Sequence, residues 1–262
     1  MSMVNAAFEL PTASPPQAPS RAQPDTRAVL PAWGFWGSLG WGLLALAIGF
    51  FAIVIHALAW KLTHPLKTPD AADAAFGAAA AAIIAPVVTV GVLAIAAKIR
   101  RQSLRDYFAL NSASRRDFFL GVAVLLALNV VFEILERQFG IDFGSESVSS
   151  TYREAKLAGL LPMLWLAVVI VAPVSEELMF RGFLHRGWVP SWLGISGTIV
   201  LTSALWALMH QQYNGLTIFC VFLTGLFLGW IRQRSGSTGL TIVLHALHNL
   251  TVTVLVTIQI GW

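Results

Sequence analysis

The stretch Leu164-Trp-Leu-Ala-Val-Val-Ile-Val-Ala-Pro-Val-Ser-Glu176-Glu177-Leu-Met-Phe-Arg181 decides how this chain is read. It is a membrane-grade apolar run with two adjacent acids inside it. A charged side chain at the centre of a bilayer costs about 3 kcal/mol or more unless it is paired or faces water. The apolar pattern resumes with Leu178, Met179, Phe180, Phe183 and Leu184, so the helix does not end at the acids. Ionisable groups in such a place point to function, with a partner to be named. Arg181 lies four residues beyond Glu177 on the same helical face, and it is that partner.

The rest of the chain agrees with a membrane setting. Of 262 residues, 56% are hydrophobic and 11% charged, and the mean hydropathy is +0.71. These values exclude a soluble domain. Apolar runs of about 20 residues read as spanning helices. Seven are predicted, near 34–60, 75–97, 117–135, 159–187, 192–211, 214–232 and 238–260, giving an all-α polytopic transmembrane helix bundle. Residues 1–30 carry five prolines among small polar residues and are expected to form a disordered tail. They lack the basic and apolar regions of a cleaved signal peptide. The chain then divides into N-terminal transmembrane helices over 31–158 and a helical core over 159–260. Ser103-Leu-Arg-Asp-Tyr-Phe-Ala-Leu110 is expected to lie along the membrane interface. Asp142 to Lys156 is expected to be a loop or surface helix.

The net charge is +4 and the isoelectric point near 9.6. No basic stripe with interleaved aromatics accompanies that charge, so no nucleic-acid partner is expected. The densest basic cluster is Lys98, Arg100, Arg101, Arg105, Arg115 and Arg116, between helices two and three. Placed inside by the positive-inside rule, it puts the N-terminus in the cytoplasm. The single cysteine, Cys220, excludes a disulfide framework within one chain.

Further polar groups recur inside the later helices. Trp206 and His210 are four apart and share a face, as do His245 and Asn249. Two acids, two histidines and an asparagine from three helices would face one polar cavity. A peptide hydrolase needs a base for water, donors for the oxyanion and a proton for the leaving amine. Taking a carboxylate out of water makes it a stronger base. The same residue types could hold a divalent metal. Straight helices leave a tension. Glu176, His210 and His245 fall about 16, 27 and 10 Å from the inner ends of their helices, yet they must meet at one depth. The predicted helix ends are where that tension is to be resolved.

Taken together, Glu176-Glu177-xxx-Arg181, Trp206-xxx-His210 and His245-xxx-Asn249 resemble the CPBP family. This family comprises the CAAX prenyl endopeptidases and the bacteriocin-processing or self-immunity (Abi) proteins. Phe180-Arg-Gly-Phe-Leu184, Thr224-Gly-Leu-Phe-Leu-Gly229 and Ser235-Gly-Ser-Thr-Gly-Leu240 fit as well, and the likeness covers about 159–251. Trp206 stands where the family usually has phenylalanine. The resemblance implies an intramembrane endopeptidase with Glu176 as the water-activating base and Glu177 with Arg181 as a supporting ion pair. His210, His245 and Asn249 would line the site and hold water or the oxyanion. No cofactor is required by this reading. A zinc site of Glu176, His210 and His245 is the alternative. The expected partners are membrane lipid and a peptide or lipidated-protein substrate, in a bacterial plasma membrane. Oligomeric state is left open.

Other readings compete. A silent immunity or scaffold member would share the motifs, and a transporter or proton relay would also use intramembrane Glu and His. No inverted repeat supports transport. Gly194-Ile-Ser196-Gly197 matches the GxSG of rhomboid proteases, but the order of the other rhomboid motifs is wrong here. It is read as close packing. Gly225-xxx-Gly229 is read as internal helix packing. Pro173 is expected to kink the helix beside the acids.

Overall fold

The computed structural model describes residues 31–139 and 146–261, so the expected N-terminal tail lies outside the described residues. These residues form helices only: α1 Phe35–Thr63, α2 Ala71–Ile99, a single turn α3 Leu104–Tyr107, α4 Arg115–Phe139, α5 Glu146–Leu157, α6 Leu161–Trp188, α7 Gly194–Leu208, α8 Gly215–Ser235 and α9 Thr238–Gln259. Six of them are long and apolar enough to cross a membrane. The remaining predicted span, 192–211, is α7, which has 15 residues. At 1.5 Å per residue it is about 22 Å long, short of the ~30 Å hydrocarbon layer.

Large apolar side chains on α1, α2 and α4 remain exposed, as lipid-facing surfaces should. The core instead gathers on α6. Phe180, Phe183, Leu184 and Trp188 pack with Leu93 of α2, Leu228 and Ile231 of α8 and Leu244 of α9. Close approach of helices depends on small residues there. A Cβ on Gly187 would sit 1.8 Å from Ser38 Oγ and 2.6 Å from the Trp33 carbonyl. The backbone oxygen cannot swing away, so α1 would have to move. Gly187→Ala is expected to lower the yield and melting temperature of the protein in detergent, by the 1–3 kcal/mol or so typical of overpacking. Gly225 and Gly229 of α8 meet Ser203 and Ile199 of α7 in the same way, so this small-residue face serves internal packing.

α6 is not one regular helix. Its α-helical turns Leu161–Trp165, Ala172–Glu177 and His185–Trp188 alternate with π segments Leu166–Val171 and Leu178–Leu184. π turns are rare and collect at functional sites. The two acids stand on the short α turn between them. Pro173 is accommodated at the start of that turn, with π geometry on either side.

The segment after α2 departs from expectation. It was expected along the interface, but only Leu104–Tyr107 is helical, and Tyr107 and Phe108 are fully buried. Tyr107 packs on Phe183 at 5.4 Å between ring centroids, and Phe108 lies where a Cβ on Gly182 would be 2.9 Å from its ring. The aromatic residues of this segment therefore plug the bundle. The reason is packing: Gly182 leaves the space that the Phe108 ring fills, and Phe183 offers Tyr107 a ring face. Arg186 of α6 ties the segment down through the carbonyls of Asp106 and Tyr107 and through Gln102 Oε1. The expected surface element at 142–156 is the helix α5 from Glu146 on, and residues 142–145 lie outside the described residues.

The plug also raises the start of α9. The Thr238 N–H donates to the Ala109 carbonyl, and Ser237 Oγ donates to the Asn111 carbonyl. Thr238 then lies beside Arg181, whose carbonyl accepts from Arg232 Nε at 3.0 Å and from Thr238 Oγ1 at 3.4 Å. Arg181 is seven residues, about 10 Å, from the C-terminal end of α6, and His245 is a further ~10 Å along α9. Glu176 falls about 18 Å from the C-terminal end of α6, and Trp206 about 18 Å from the N-terminal end of α7. The three depths coincide, because α9 begins inside the bundle rather than at its edge.

Candidate active site

Glu177 is wholly buried and Arg181 is 1% exposed. Arg181 Nη1 donates to Glu177 Oε1 at 2.8 Å across one helical turn, as the spacing predicts. Arg181 Nη2 donates to the Gly225 carbonyl at 3.1 Å, and the guanidinium lies 4.8 Å from the Trp206 ring centroid. The same Glu177 oxygen is 3.0 Å from His245 Nδ1. A carboxylate only accepts, so Nδ1 carries the proton and Nε2 of a neutral ring is left as an acceptor. His245 Nε2 lies 4.0 Å from Glu176 Oε2.

Glu176 differs from its neighbour. One residue further back around the helix, it is 24% exposed. Its Oε2 accepts from the indole N–H of Trp206 at 2.6 Å. The Trp206 ring also makes edge contacts with His245 and His210, each at 5.2 Å between centroids. Trp206 is thus the hub linking α6, α7 and α9. A phenylalanine could make the ring contacts but not the hydrogen bond. The sequence signal was present, an aromatic four residues before a histidine, but its indole donor was not singled out.

His210 lies beyond the end of α7, not within it as expected. Its Nδ1 is 2.9 Å from the Trp206 carbonyl, an acceptor, so Nδ1 is protonated and Nε2 is free of that bond. Its ring stacks on Tyr213 at 6.1 Å. Burial first, then Tyr152 and Glu176 nearby, hold the Tyr213 phenol above its ordinary pKa. It therefore stays a neutral O–H donor at the site's edge. Tyr213 was not recognised in the sequence. α7 ends at Leu208, so His210 and Tyr213 lie in the turn that follows it.

Asn249 has a partner other than the acids. Its Nδ2 donates to the Val168 carbonyl at 2.9 Å. The cause lies in α6. The Ala172 N–H reaches back five residues to Ala167 O. The next residue is Pro173, which has no N–H to give to Val168 O. Asn249 supplies the missing donor and so fixes the turn that carries Glu176. A double-mutant cycle checks this role. Asn249→Ala should cost about 1 kcal/mol by orphaning a partly buried carbonyl. In a Pro173→Ala background, where the backbone donor returns, the cost should fall by at least half. Equal costs in both backgrounds would show that Asn249 acts elsewhere.

The zinc alternative needs Glu176, His210 and His245 in one group. Among the described residues, no three His, Cys, Asp or Glu side chains are so grouped. Glu176 Oε2 is already taken by the indole and Glu177 by Arg181. Ser196 of the GxSG sequence is exposed in the first turn of α7, ten residues and so about 15 Å from Trp206. It is no part of this site.

Comparison with known proteins finds a family model similar to the segment that carries the site. Residues 158–251 match the model for Rce1-like proteins, described as type II CAAX prenyl endopeptidase Rce1-like. The segment is nearly that expected from the motifs. An Escherichia coli protein described as an uncharacterized 24.3 kDa protein is 40% identical over 86 residues, covering 30% of this chain and 38% of that relative. The chain therefore aligns with well under half of that relative's length. No solved structure matches.

Proposed function

We propose that this chain, which carries a CAAX-protease domain over residues 158–251, is an intramembrane endopeptidase that cleaves a membrane-associated or lipidated substrate with a water activated by Glu176. The observation that carries this reading is the unequal environment of the two acids. Glu177 is wholly buried with its Oε1 held by Arg181 and His245, whereas Glu176 is partly exposed and, among the described residues, accepts one side-chain hydrogen bond, from Trp206.

The 4.0 Å between Glu176 Oε2 and His245 Nε2 is too long for a hydrogen bond but suits two acceptors bridged by one water. Such a water donates one proton to each group and presents its lone pair. Glu176 takes the proton as the oxygen attacks a peptide carbonyl. The C–N bond then breaks as the proton passes from Glu176 to the leaving amine. Tyr213 O–H supplies a donor for the oxyanion, and His210, its Nδ1–H held by the Trp206 carbonyl, stacks on the phenol and orients it. Arg181, Glu177 and Asn249 position these groups without touching substrate.

Partners, membrane and topology follow from this reading: peptide or lipidated protein as substrate, lipid as surroundings, and a bacterial plasma membrane with the basic segment 98–116 inside. The test uses detergent-purified full chain and paired C-terminal peptides, one carrying an isoprenyl chain on cysteine and one without. Cleavage of the lipidated peptide, preserved in the presence of a chelator, is expected. Cleavage of neither peptide by protein that remains folded would count against this substrate class. Loss of cleavage on chelation with recovery on adding zinc would overturn the water–glutamate route.

A further inference from the structure

A cavity of about 520 Å³ lies away from the acid pair, between the segment 111–115 and the first turns of α4 and α9. Its polar wall is Asn111, Ser114, Arg115 and Ser237, and its apolar wall includes Phe119 and Val243. None of the residues lining it is acidic. The nearest acid in sequence, Asp117, is already held by Ser114 and by Arg234 at 2.8 Å. Arg115 takes part in no hydrogen bond, ion pair or ring contact among the described residues. The apolar wall is open to the side: Phe119 is 67% and Val243 is 44% exposed. The cavity therefore pairs an uncompensated cation with a lipid-facing hydrophobic wall, at the ends of two spanning helices.

We infer that this cavity binds the headgroup of an anionic phospholipid, with Arg115 on the phosphate and an acyl chain along Phe119 and Val243. Charge complementarity selects the lipid class. The adjacent Arg116 adds to the local positive potential, and basic clusters at the membrane surface attract anionic lipids. A soluble anion would leave the exposed apolar wall unused, whereas a zwitterionic lipid would bring its own cation against Arg115. The site also has a route to the acid pair. Leu244, one residue before His245, packs where a Cβ on Gly121 would be 2.6 Å from it. A lipid wedged at the start of α4 and α9 braces that seam.

The experiment uses the full chain in nanodiscs, and lipids retained after gentle extraction are counted by native mass spectrometry. Phosphatidylglycerol should be retained in preference to phosphatidylcholine. Arg115→Gln should weaken that retention about tenfold, the loss expected for one charge-assisted hydrogen bond. Arg115→Glu should abolish it. Arg115 is exposed, so both variants should keep the wild-type melting temperature in phosphatidylcholine, which shows that they fold. Equal retention of both lipids, or unchanged retention in Arg115→Glu, overturns the site. Competition by inorganic phosphate as effective as by the lipid would assign the cavity to a soluble anion instead and overturn the lipid reading.

Discussion

Arg181→Ala should remove most of the folded protein from the membrane. The substitution leaves Glu177 buried without its cation, and breaking a buried pair from one side costs about 3–5 kcal/mol. Total stabilities run at about 5–15 kcal/mol, so the remainder is small. Arg181 also donates to the Gly225 carbonyl and stacks near Trp206, so α8 and α7 lose an anchor at the same time. Abundance in the membrane fraction and the melting temperature in detergent read the effect. Arg181→Lys should rescue only in part, because an ammonium cannot serve Glu177 and Gly225 with two directed forks. A normal level of normally melting Arg181→Ala protein would show that the pair is not what holds α6 in place.

Glu176→Gln should do the opposite: leave the fold intact and remove the activity. The amide is nearly the same size, and its oxygen can still accept from Trp206 N–H. It cannot take a proton from water. Loss of a general base costs about 10²–10⁴-fold in rate. The melting temperature should stay that of the wild type, since Glu176 is partly exposed and, among the described residues, carries no ion pair to an arginine or lysine. The two variants thus separate the adjacent acids into a structural one, read through its arginine, and a chemical one.

How much of this was legible in the sequence depends on the kind of contact. The Glu177–Arg181 pair follows from helical spacing alone, and it is found at 2.8 Å. The spanning helices were placed to within a few residues because apolar runs of that length have few alternatives. The plug at Tyr107 and Phe108 was misplaced, since the same amphipathic pattern suits an interface or a seam, and only the space left by Gly182 decides. The π segments of α6 were not legible either. They depend on donors from later helices, Asn249 for Val168 and Arg232 for Arg181, that no local pattern announces. For the same reason Asn249 was grouped with the water-holding residues, although its bond goes to the backbone. Trp206 was seen as an aromatic at the right spacing, but its indole N–H on Glu176 needed three helices to be assembled.

The central claim is that the chain hydrolyses peptide bonds in the membrane through Glu176. The direct measurement is mass-spectrometric mapping of new protein C-termini and released peptides in membranes bearing wild-type chain or equal amounts of Glu176→Gln. A set of cleavage sites present only with the wild-type chain, carrying ¹⁸O in the new carboxylate when the water is labelled, is the result expected. Identical termini in both membranes, with both proteins folded, would contradict it.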